Sequence, residues 1–286
     1  MPPSKRFPPF KKTAILGVGL LGGSLALALK GKKLSKEICG FGRKEENLKR
    51  AKRKCIIDSY RMDPREAVKG ADLVVLATPV GTFRELAKTI APALEKDSVQ
   101  MDMGSVKGSL VYELEKMLPR FVGCHPIAGG DRSGIDSARA SLFKGVRCII
   151  TKTARTDEDA CQRIFELWER LGGRAEIMDP MEHDRVYALV SHLPHLIAYA
   201  LVNTVGEADP SYIRFAGPGF RDTSRIARSS PELWKDISLL NRENILNFLE
   251  VFKRNLEKLE TLIEKGDAES FKKALSDAKA LREQID

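Results

Sequence analysis

Three glycines near the N-terminus have the spacing of a phosphate-binding turn. Gly17, Gly19 and Gly22 form a G-x-G-x-x-G pattern, with Leu20 and Leu21 between the last two glycines. The pattern follows a short apolar run and opens a helix-compatible segment, which is the context that a dinucleotide-binding turn requires. The first glycine permits the tight turn, the second lets the backbone approach a pyrophosphate, and the third lets the helix pack on the strand. These residues predict dinucleotide binding rather than a strand-to-helix turn without a ligand.

The residues after the second predicted strand bear on the choice between NAD and NADP. In an NAD-binding protein an Asp or Glu there hydrogen-bonds the ribose 2′-hydroxyl. This chain has Gly42 followed by Arg43 and Lys44, and its nearest carboxylate is that of Glu45. Because the two cations could accept a 2′-phosphate, the sequence favours NADP slightly and leaves NAD open. An Arg43 that stacks on the adenine or faces water is the alternative.

Four histidines, His125, His183, His192 and His195, could exchange protons near neutral pH. His125 is predicted to lie in a Gly/Pro-rich loop just after a strand, at the edge of the sheet where doubly wound folds bind ligands. A structural loop histidine is the alternative for that position. His183 is predicted to lie at the surface or at a helix start, and His192 to be structural.

His192 and His195 are one helical turn apart, yet they do not predict a metal site. No carboxylate or cysteine accompanies them at ligand spacing, and Pro194 is expected to distort the turn. The five cysteines include no CxxC pair, which argues against a zinc site or a disulfide scaffold. Scattered cysteines of this kind indicate a reducing cytoplasm.

Strands and helices alternate along the first part of the chain, and they must position these residues. Such alternation predicts βαβ units and a mainly parallel sheet. The α/β fold expected over residues 1–180 is therefore a Rossmann-type dinucleotide-binding domain. The predicted strands cover residues 13–17, 37–42, 71–77, 98–103, 120–124, 146–151 and 175–178, and the predicted helices cover 20–30, 45–54, 82–94, 108–117 and 157–171.

Residues 181–286 lack β-branched runs and predict an all-helical second domain. The predicted helices cover 181–207, interrupted at Pro194, and then 209–215, 231–264 and 268–284. Apolar residues at helical spacing predict a buried stripe on the third of these helices. The stripe comprises Ile245, Leu246, Leu249, Phe252, Leu256 and Leu259. Packing within the domain and a helical dimer interface are both open as its partner.

Length and composition exclude several classes of protein. The chain has 286 residues, which favours about two domains, with 43% hydrophobic and 30% charged residues. These values are ordinary for a globular enzyme and unlike those of a disordered chain. No apolar run is expected to reach the length of a membrane span, and the N-terminus lacks the apolar segment of a secretory signal.

The net charge of +9 is concentrated in two stretches. Residues 30–54 hold eleven basic residues against three glutamates, and residues 1–12 hold four basic residues and no acid. A solvated basic face is the default interpretation. Nucleic-acid binding is disfavoured because no aromatic residues are interleaved as stacking platforms. A phosphate-bearing small molecule is the third possibility.

In combination, six motifs resemble the prephenate/arogenate dehydrogenase family of tyrosine biosynthesis, over about residues 13–260. This resemblance implies a Rossmann domain followed by a helical domain that forms a homodimer. The implied reaction is the oxidative decarboxylation of a cyclohexadienyl substrate by a nicotinamide dinucleotide. The motifs are GVGLLGGSLA (17–26), LATPV (76–80), DMGSVK (102–107), GCHPIAGG (123–130), SHLPH (191–195) and FRDTSRIARSSPELWKDI (220–237).

The resemblance also assigns residues to roles in that reaction. His125 corresponds to the catalytic base, which takes the proton of a hydroxyl as hydride leaves its carbon. Arg225 and His195 match substrate-binding positions, and a bidentate cation suits a substrate with two carboxylates. The cofactor is expected to lie across residues 17–22 and the loop at Thr78 and Pro79.

Ser105 and the residues around Arg225 leave alternatives open. Because a hydroxyl can donate and accept at once, Ser105 could bridge His125 and the substrate; the alternative is an N-cap for a helix over 106–117. Lys107 is assigned no role. Arg221 and Arg228 are expected at the surface or in ion pairs, and Trp234 in the core rather than in a pocket wall.

The loop after HPIAG departs from the family pattern as we know it. Relatives often carry a Thr-Glu or Thr-Asp pair there, whereas this chain has Gly130 and Asp131. The acid is retained as Asp131, an expected substrate contact, and the hydroxyl is lost.

Other functions remain as alternatives to prephenate oxidation. Arogenate is the alternative substrate, because no motif distinguishes the two side chains. A β-hydroxyacid dehydrogenase would share the architecture, but its lysine-based catalytic pattern has no matching segment here. A non-enzymatic nicotinamide sensor would bind the cofactor without turning over a cyclohexadienyl substrate.

Overall fold

The computed structural model describes residues 7–129 and 134–285. Its first part is built on one twisted sheet with the strand order β3-β2-β1-β4-β5-β6-β7-β8. The strands are Phe10–Leu16 (β1), Ser35–Phe41 (β2), Ser59–Arg61 (β3), Leu73–Leu76 (β4), Val99–Asp102 (β5), Phe121–Pro126 (β6), Arg147–Thr151 (β7) and Arg174–Met178 (β8).

Helices cover both faces of this sheet and make up the rest of the described chain. Those between the strands are Leu20–Gly31 (α1), Glu45–Arg53 (α2), Pro64–Val68 (α3), Phe83–Ile90 (α4), Gly108–Met117 (α5) and Glu158–Leu171 (α6). Those after the last strand are Pro180–Tyr187 (α7), Leu193–Ala208 (α8), Pro218–Ser224 (α9), Pro231–Leu240 (α10), Arg242–Lys265 (α11) and Ala268–Arg282 (α12). The predicted fold class, a Rossmann-type domain followed by a helical region, is confirmed. The strand β3 and the helices α3 and α9 were not predicted.

The sheet reverses its strand order beside β1, and this reversal locates the ligand crevice. β1 pairs in parallel with β2 on one side and with β4 on the other. In doubly wound sheets, ligands bind at the carboxyl ends of the strands at such a switch point. The loops that follow β1, β2 and β4 therefore form the expected binding edge.

The core lies on both faces of the sheet because successive side chains of a strand point to opposite faces. All four side chains of β4 are buried. Leu73 and Val75 pack into one hydrophobic cluster, and Val74 and Leu76 pack into the other. A strand that is apolar on both faces is the pattern of a covered parallel sheet.

The strand β6 is longer than predicted and contains His125. It pairs with β7 in antiparallel fashion, with His125 opposite Ile149 and Pro126 opposite Cys148. This pairing extends the strand beyond the predicted end at Cys124, so His125 does not lie in a loop. The sequence did not reveal this extension of β6 because its pairing partner, β7, comes from a segment that is distant in sequence.

The first long helix of this region is interrupted beside Pro194, as predicted, whereas the division of a second helix was not predicted. Pro194 lies in the first turn of α8. A π-helical turn, Ala188–His192, precedes it. The predicted helix over 231–264 is divided between α10 and α11 at Asn241, whose φ and ψ are −112° and 28°. The Asn241 side chain holds this break by donating to the Asp184 carbonyl over 2.7 Å.

The apolar stripe of α11 is covered only in part by its own chain, with Leu249, Phe252 and Leu259 half-buried. Packing within the domain therefore accounts for part of the stripe, and a dimer interface stays open for the rest. Ile245 is buried, whereas Leu246 is 57% exposed and Leu256 is 50% exposed. Helical periodicity identifies an apolar face, but it does not specify what covers that face.

The run from α7 to α8, residues Pro180–Ala208, is long and apolar enough to cross a membrane by length and composition. An 18-residue window of this run has a mean hydropathy of 1.3, which contradicts the expectation that no such run exists. The same test is also passed by the core helices of globular proteins, so the run alone is weak evidence for a membrane protein.

Candidate functional site

The glycine-rich turn leaves its backbone open toward a ligand. Gly17 has a φ of +114°, and a Cβ there would lie 2.4 Å from the Ala77 carbonyl carbon. A Cβ on Gly22 would lie 2.1 Å from the Gly17 oxygen, so helix and strand touch at this point. A Cβ on Gly19 would meet nothing within 4 Å, which leaves space on the side where a phosphate would approach. The three glycines thus have the geometry that the motif predicts.

The first turn of α1 supplies hydrogen-bond donors to that space. It begins at Leu20 and Leu21, has no acidic residue, and receives no side-chain cap from Gly19. The N–H groups at the start of the helix are therefore available to an anion, and the helix dipole favours negative charge there. This cradle fits the pyrophosphate of a dinucleotide.

A first cavity of about 290 Å³ extends from the cradle toward the end of β2. Arg43 and Lys44 line it, whereas Glu45 does not. The Glu45 carboxylate instead accepts a 2.9 Å hydrogen bond from the Tyr60 hydroxyl. No lining residue of this cavity, all of them described, carries a carboxylate. The lining residues are Gly17, Val18, Gly19, Gly42, Arg43, Lys44, Asn47, Leu48, Ala77, Thr78 and Pro79.

A second cavity of about 480 Å³ continues from the first. The two share Gly19, Ala77, Thr78 and Pro79 as walls. The second adds the first turn of α1, the loop after β5, and the segment before α10. Its polar lining includes Ser105, Arg228, Ser229 and Ser230. Arg228 is exposed, as expected, and it also lines this cavity.

His125 lies in β6, three residues before Ala128, which lines the second cavity. It is 8% exposed and is not itself among the lining residues. Its Nδ1 lies 2.9 Å from His183 Nε2. Burial lowers the pKa of His125 well below 6.5, and the neighbouring His183 and Lys107 lower it further. The imidazole is therefore neutral near pH 7 and able to accept a proton.

His183 lies in the first turn of α7, which agrees with the predicted helix start, but it is fully buried, so the alternative of a surface position is wrong. Its Nδ1 lies 2.8 Å from Asp184 Oδ1. Burial lowers the pKa of His183 to about 2 and raises the pKa of Asp184 to about 6. α7 turns His183 toward His125 on β6 and Asp184 toward the start of α5, and no local sequence signal marks this packing.

Ser105 lines the second cavity, and its bridging of His125 and the substrate hydroxyl stays a prediction. It is not the N-cap of α5, because that helix begins at Gly108. Lys107 is buried instead, and its ammonium donates to Asp102 Oδ2 over 2.6 Å and to the Gly104 carbonyl over 2.7 Å. This lysine shapes the loop that presents Ser105.

His195 lies against Trp234 in the helical region. Their rings stack with centroids 3.6 Å apart, and His195 Nδ1 donates to the Ser191 carbonyl over 3.0 Å. Its Nε2 is thus left as an acceptor. Burial, and then the charge of Arg225, lowers the pKa of His195, so Arg225 lies near this ring. Trp234 is buried, as predicted.

Other predicted residues are placed as follows. Arg225 is exposed and lines neither cavity. His192 is buried, and its Nδ1 accepts from the Asn241 amide over 3.1 Å. Asp131 lies outside the described residues. Among residues 7–129 and 134–285, no group of three or more His, Cys, Asp or Glu side chains could hold a metal ion.

Two family models match the chain one after the other. The nucleotide-binding domain of prephenate dehydrogenase matches residues 25–177. The dimerization domain of prephenate dehydrogenase matches residues 179–277.

Two curated relatives resemble nearly the whole chain. A cyclohexadienyl dehydrogenase from Zymomonas mobilis is 38% identical, and the match covers 91% of each protein. A prephenate dehydrogenase from Bacillus subtilis is 35% identical over 96% of this chain and 76% of its own length.

Solved structures of similar proteins agree with these sequence matches. A prephenate dehydrogenase from Aquifex aeolicus, in complex with hydroxyphenyl propionate and NAD+, superposes with a TM-score of 0.92. It is 38% identical, and the match covers 96% of this chain and 98% of that one. An arogenate dehydrogenase from Synechocystis has a TM-score of 0.81 at 28% identity, with 96% and 100% covered.

Proposed function

Because this chain belongs to the prephenate dehydrogenase family, we propose that it oxidises prephenate to 4-hydroxyphenylpyruvate with loss of CO2. It is an oxidoreductase that uses a nicotinamide dinucleotide. The reaction would serve tyrosine biosynthesis. Arogenate, which differs from prephenate only in its side chain, is the second candidate substrate.

The observation that carries this proposal is the continuity of the two cavities. The first has a phosphate cradle and cations, and the second has hydroxyls and the cation Arg228. A dinucleotide in the first would reach the shared wall at Thr78 and Pro79. A small ring with carboxylates would then fit beside it in the second, next to Ser105.

The cofactor, His125 and Ser105 would each carry one part of the oxidation. A bound nicotinamide dinucleotide supplies the hydride acceptor. His125 takes the C4 hydroxyl proton of the substrate at Nε2, and Ser105 orients the same hydroxyl. Loss of the ring carboxylate as CO2 sends its electron pair into the ring, which becomes aromatic. The C4 oxygen then takes the proton back from His125, so no net proton is released.

Cations near the second cavity would hold the carboxylates of the substrate. The resemblance to the family assigns this role to Arg225, with His195 as a further contact. Arg225 near His195 supports that assignment, and Arg228 offers a second guanidinium at the cavity. We also propose Asp131 as a substrate contact, on the basis of the family pattern alone.

We further propose that NADP+ is accepted and is favoured slightly over NAD+. Arg43 and Lys44 at the first cavity support this, together with the engagement of Glu45 by Tyr60. Guanidinium and ammonium groups bind phosphate, whereas an unpartnered carboxylate would repel it.

We also propose that the chain forms a homodimer through its helical region. The two proposed domains are residues 1–180 and 181–286. The exposed apolar side chains on α11 and on the run before α8 support such an interface, since monomers seldom expose large apolar patches. Nucleic acid and membrane are not proposed as partners. Five free cysteines, four of them buried, fit a reducing cytoplasm.

The direct test is the formation of reduced nicotinamide by the purified protein with prephenate or arogenate, each with NAD+ and NADP+. We expect turnover with prephenate, and the most active combination identifies both the substrate and the cofactor. A folded protein that binds cofactor and turns over neither substrate would contradict the proposal and favour a nicotinamide sensor.

A further inference from the structure

We infer that Asp184 and His183 form a positioning relay that holds the His125 ring in the tautomer with a free Nε2. The inference rests on the proposed role of His125 as the base. The three side chains are linked in series, with His183 Nδ1 2.8 Å from Asp184 Oδ1 and His183 Nε2 2.9 Å from His125 Nδ1. Neither Asp184 nor His183 is assigned a role by the sequence motifs.

The donor and the acceptor of each hydrogen bond follow from Asp184, which lies at one end of the series. An ionised carboxylate only accepts, so Nδ1 of His183 carries the proton and donates it to Asp184. A neutral imidazole has one N–H, so Nε2 of His183 accepts. His125 Nδ1 must therefore donate, which leaves His125 Nε2 with its lone pair for the substrate hydroxyl.

Asp184 is fixed from several sides at the start of α5. Its Oδ1 also accepts the Lys107 backbone N–H over 2.7 Å. A Cβ on residue 108 would lie 2.5 Å from Asp184 Oδ2, so Gly108 is what allows the carboxylate this close. The positive end of the α5 dipole favours the ionised form. Asn241 donates to the Asp184 carbonyl and fixes the backbone as well.

Burial and ring packing keep the relay in one arrangement. His183 is fully buried and Asp184 is 3% exposed, so water does not compete for their hydrogen bonds. Tyr187 packs against both imidazoles, with ring centroids 4.9 Å from His125 and 4.5 Å from His183. Such locked rotamers are what a base needs in order to meet its substrate in one geometry.

The proton balance of the relay is simple. The hydroxyl proton moves to His125 Nε2 and gives an imidazolium, whose Nδ1–H stays hydrogen-bonded to His183 Nε2. No proton passes to Asp184; its charge stabilises the transient cation through the neutral ring between them. The proton returns from Nε2 to the C4 oxygen as the ring becomes aromatic.

The test compares two replacements of His183. His183→Leu removes the acceptor, and we expect kcat to fall about 100-fold with KM for the substrate changed less than about threefold, as expected when a base loses its orienting partner. His183→Gln keeps an oxygen that can accept from His125 Nδ1, and should recover kcat to within about tenfold of the original enzyme. Equal loss in both variants, or none in His183→Leu, would overturn the relay.

A measurement of the His125 tautomer in the original enzyme tests the relay even if the His183→Leu variant does not fold. In nitrogen NMR spectra of the histidine-labelled intact enzyme, we expect the His125 proton on Nδ1. A proton on Nε2 would overturn the relay. His125→Asn separates this failure from failure of the proposed function, because activity in that variant removes His125 from the base role altogether.

The pH profile gives a readout that a merely structural role would not move. Lys107, His183 and His192 surround Asp184, and the same three groups and Tyr187 face His125. Since the pKa of Asp184 is about 6, kcat should fall as the pH drops through about 6 and the carboxylate becomes neutral. Asp184→Asn should have a lower kcat without this limb.

Glu115→Gln is the matched control. Glu115 is a buried carboxylate on α5 that accepts from the hydroxyls of Thr153 and Thr156, away from the relay. We expect this variant to keep the original kcat and its pH limb. A limb that persists in Asp184→Asn, or that vanishes in Glu115→Gln, would contradict the relay.

Discussion

Arg43 is the residue whose replacement best separates the two nicotinamide dinucleotides. It lines the first cavity, and a hydrogen bond from a guanidinium to phosphate contributes about 1.5–3 kcal/mol. We therefore expect Arg43→Ala to lower kcat/KM for NADP+ about tenfold or more, and for NAD+ less than threefold. Steady-state kinetics with both cofactors would measure this difference.

Arg53→Ala is the control for that prediction, since Arg53 lies on the same basic helix α2 and pairs with Glu46 at the surface. It should leave both cofactors unaffected. Equal losses for NAD+ and NADP+ in Arg43→Ala would contradict the 2′-phosphate role and indicate stacking on the adenine.

Single residues differ in how much their sequence context reveals. The glycines at 17, 19 and 22 were predictable because a turn that a ligand's phosphates approach constrains the backbone locally. His183 was not predictable, because it meets His125 across 58 positions of sequence only when α7 packs on the sheet. Arg228 is exposed, as predicted, but the cavity that it lines was not predictable because distant loops form it.

At the scale of elements, the junction of β1 with α1 depends on the absence of a side chain at Gly22. A methyl group there would lie 2.1 Å from the Gly17 oxygen. We expect Gly22→Ala to displace the turn and weaken dinucleotide binding at least tenfold, measured by titration calorimetry. Gly31→Ala at the other end of α1 meets nothing within 4 Å and should bind as the original protein does. Unchanged binding in Gly22→Ala would contradict the cradle.

Element types were predictable from the sequence, whereas several boundaries were not. The strand β4 and the helix α5 follow from apolar runs and helical periodicity. The extension of β6 through His125 depends on antiparallel pairing with β7, and the break at Asn241 depends on hydrogen bonds to α7 and to His192. Both are tertiary effects that no local window contains.

At the scale of the whole molecule, the uncovered apolar helices predict a homodimer. Leu246→Glu would place a charge on the exposed stripe of α11, at a side chain that is 57% exposed in one chain. We expect sedimentation to change from twice the chain mass of 31.8 kDa toward the single-chain mass. Met62→Glu, at an apolar residue next to β3 that is 47% exposed, should leave the dimer intact. A monomeric original protein would contradict this prediction.

The measurement that tests the central claim most directly is the product balance with prephenate. Given prephenate and a nicotinamide dinucleotide, the protein should form reduced nicotinamide, CO2 and 4-hydroxyphenylpyruvate in equal amounts. His125→Asn should bind the cofactor normally and turn over about 10²–10⁴-fold more slowly, the usual contribution of a general base. Turnover of His125→Asn at the original rate, or reduced nicotinamide formed without CO2, would contradict the account.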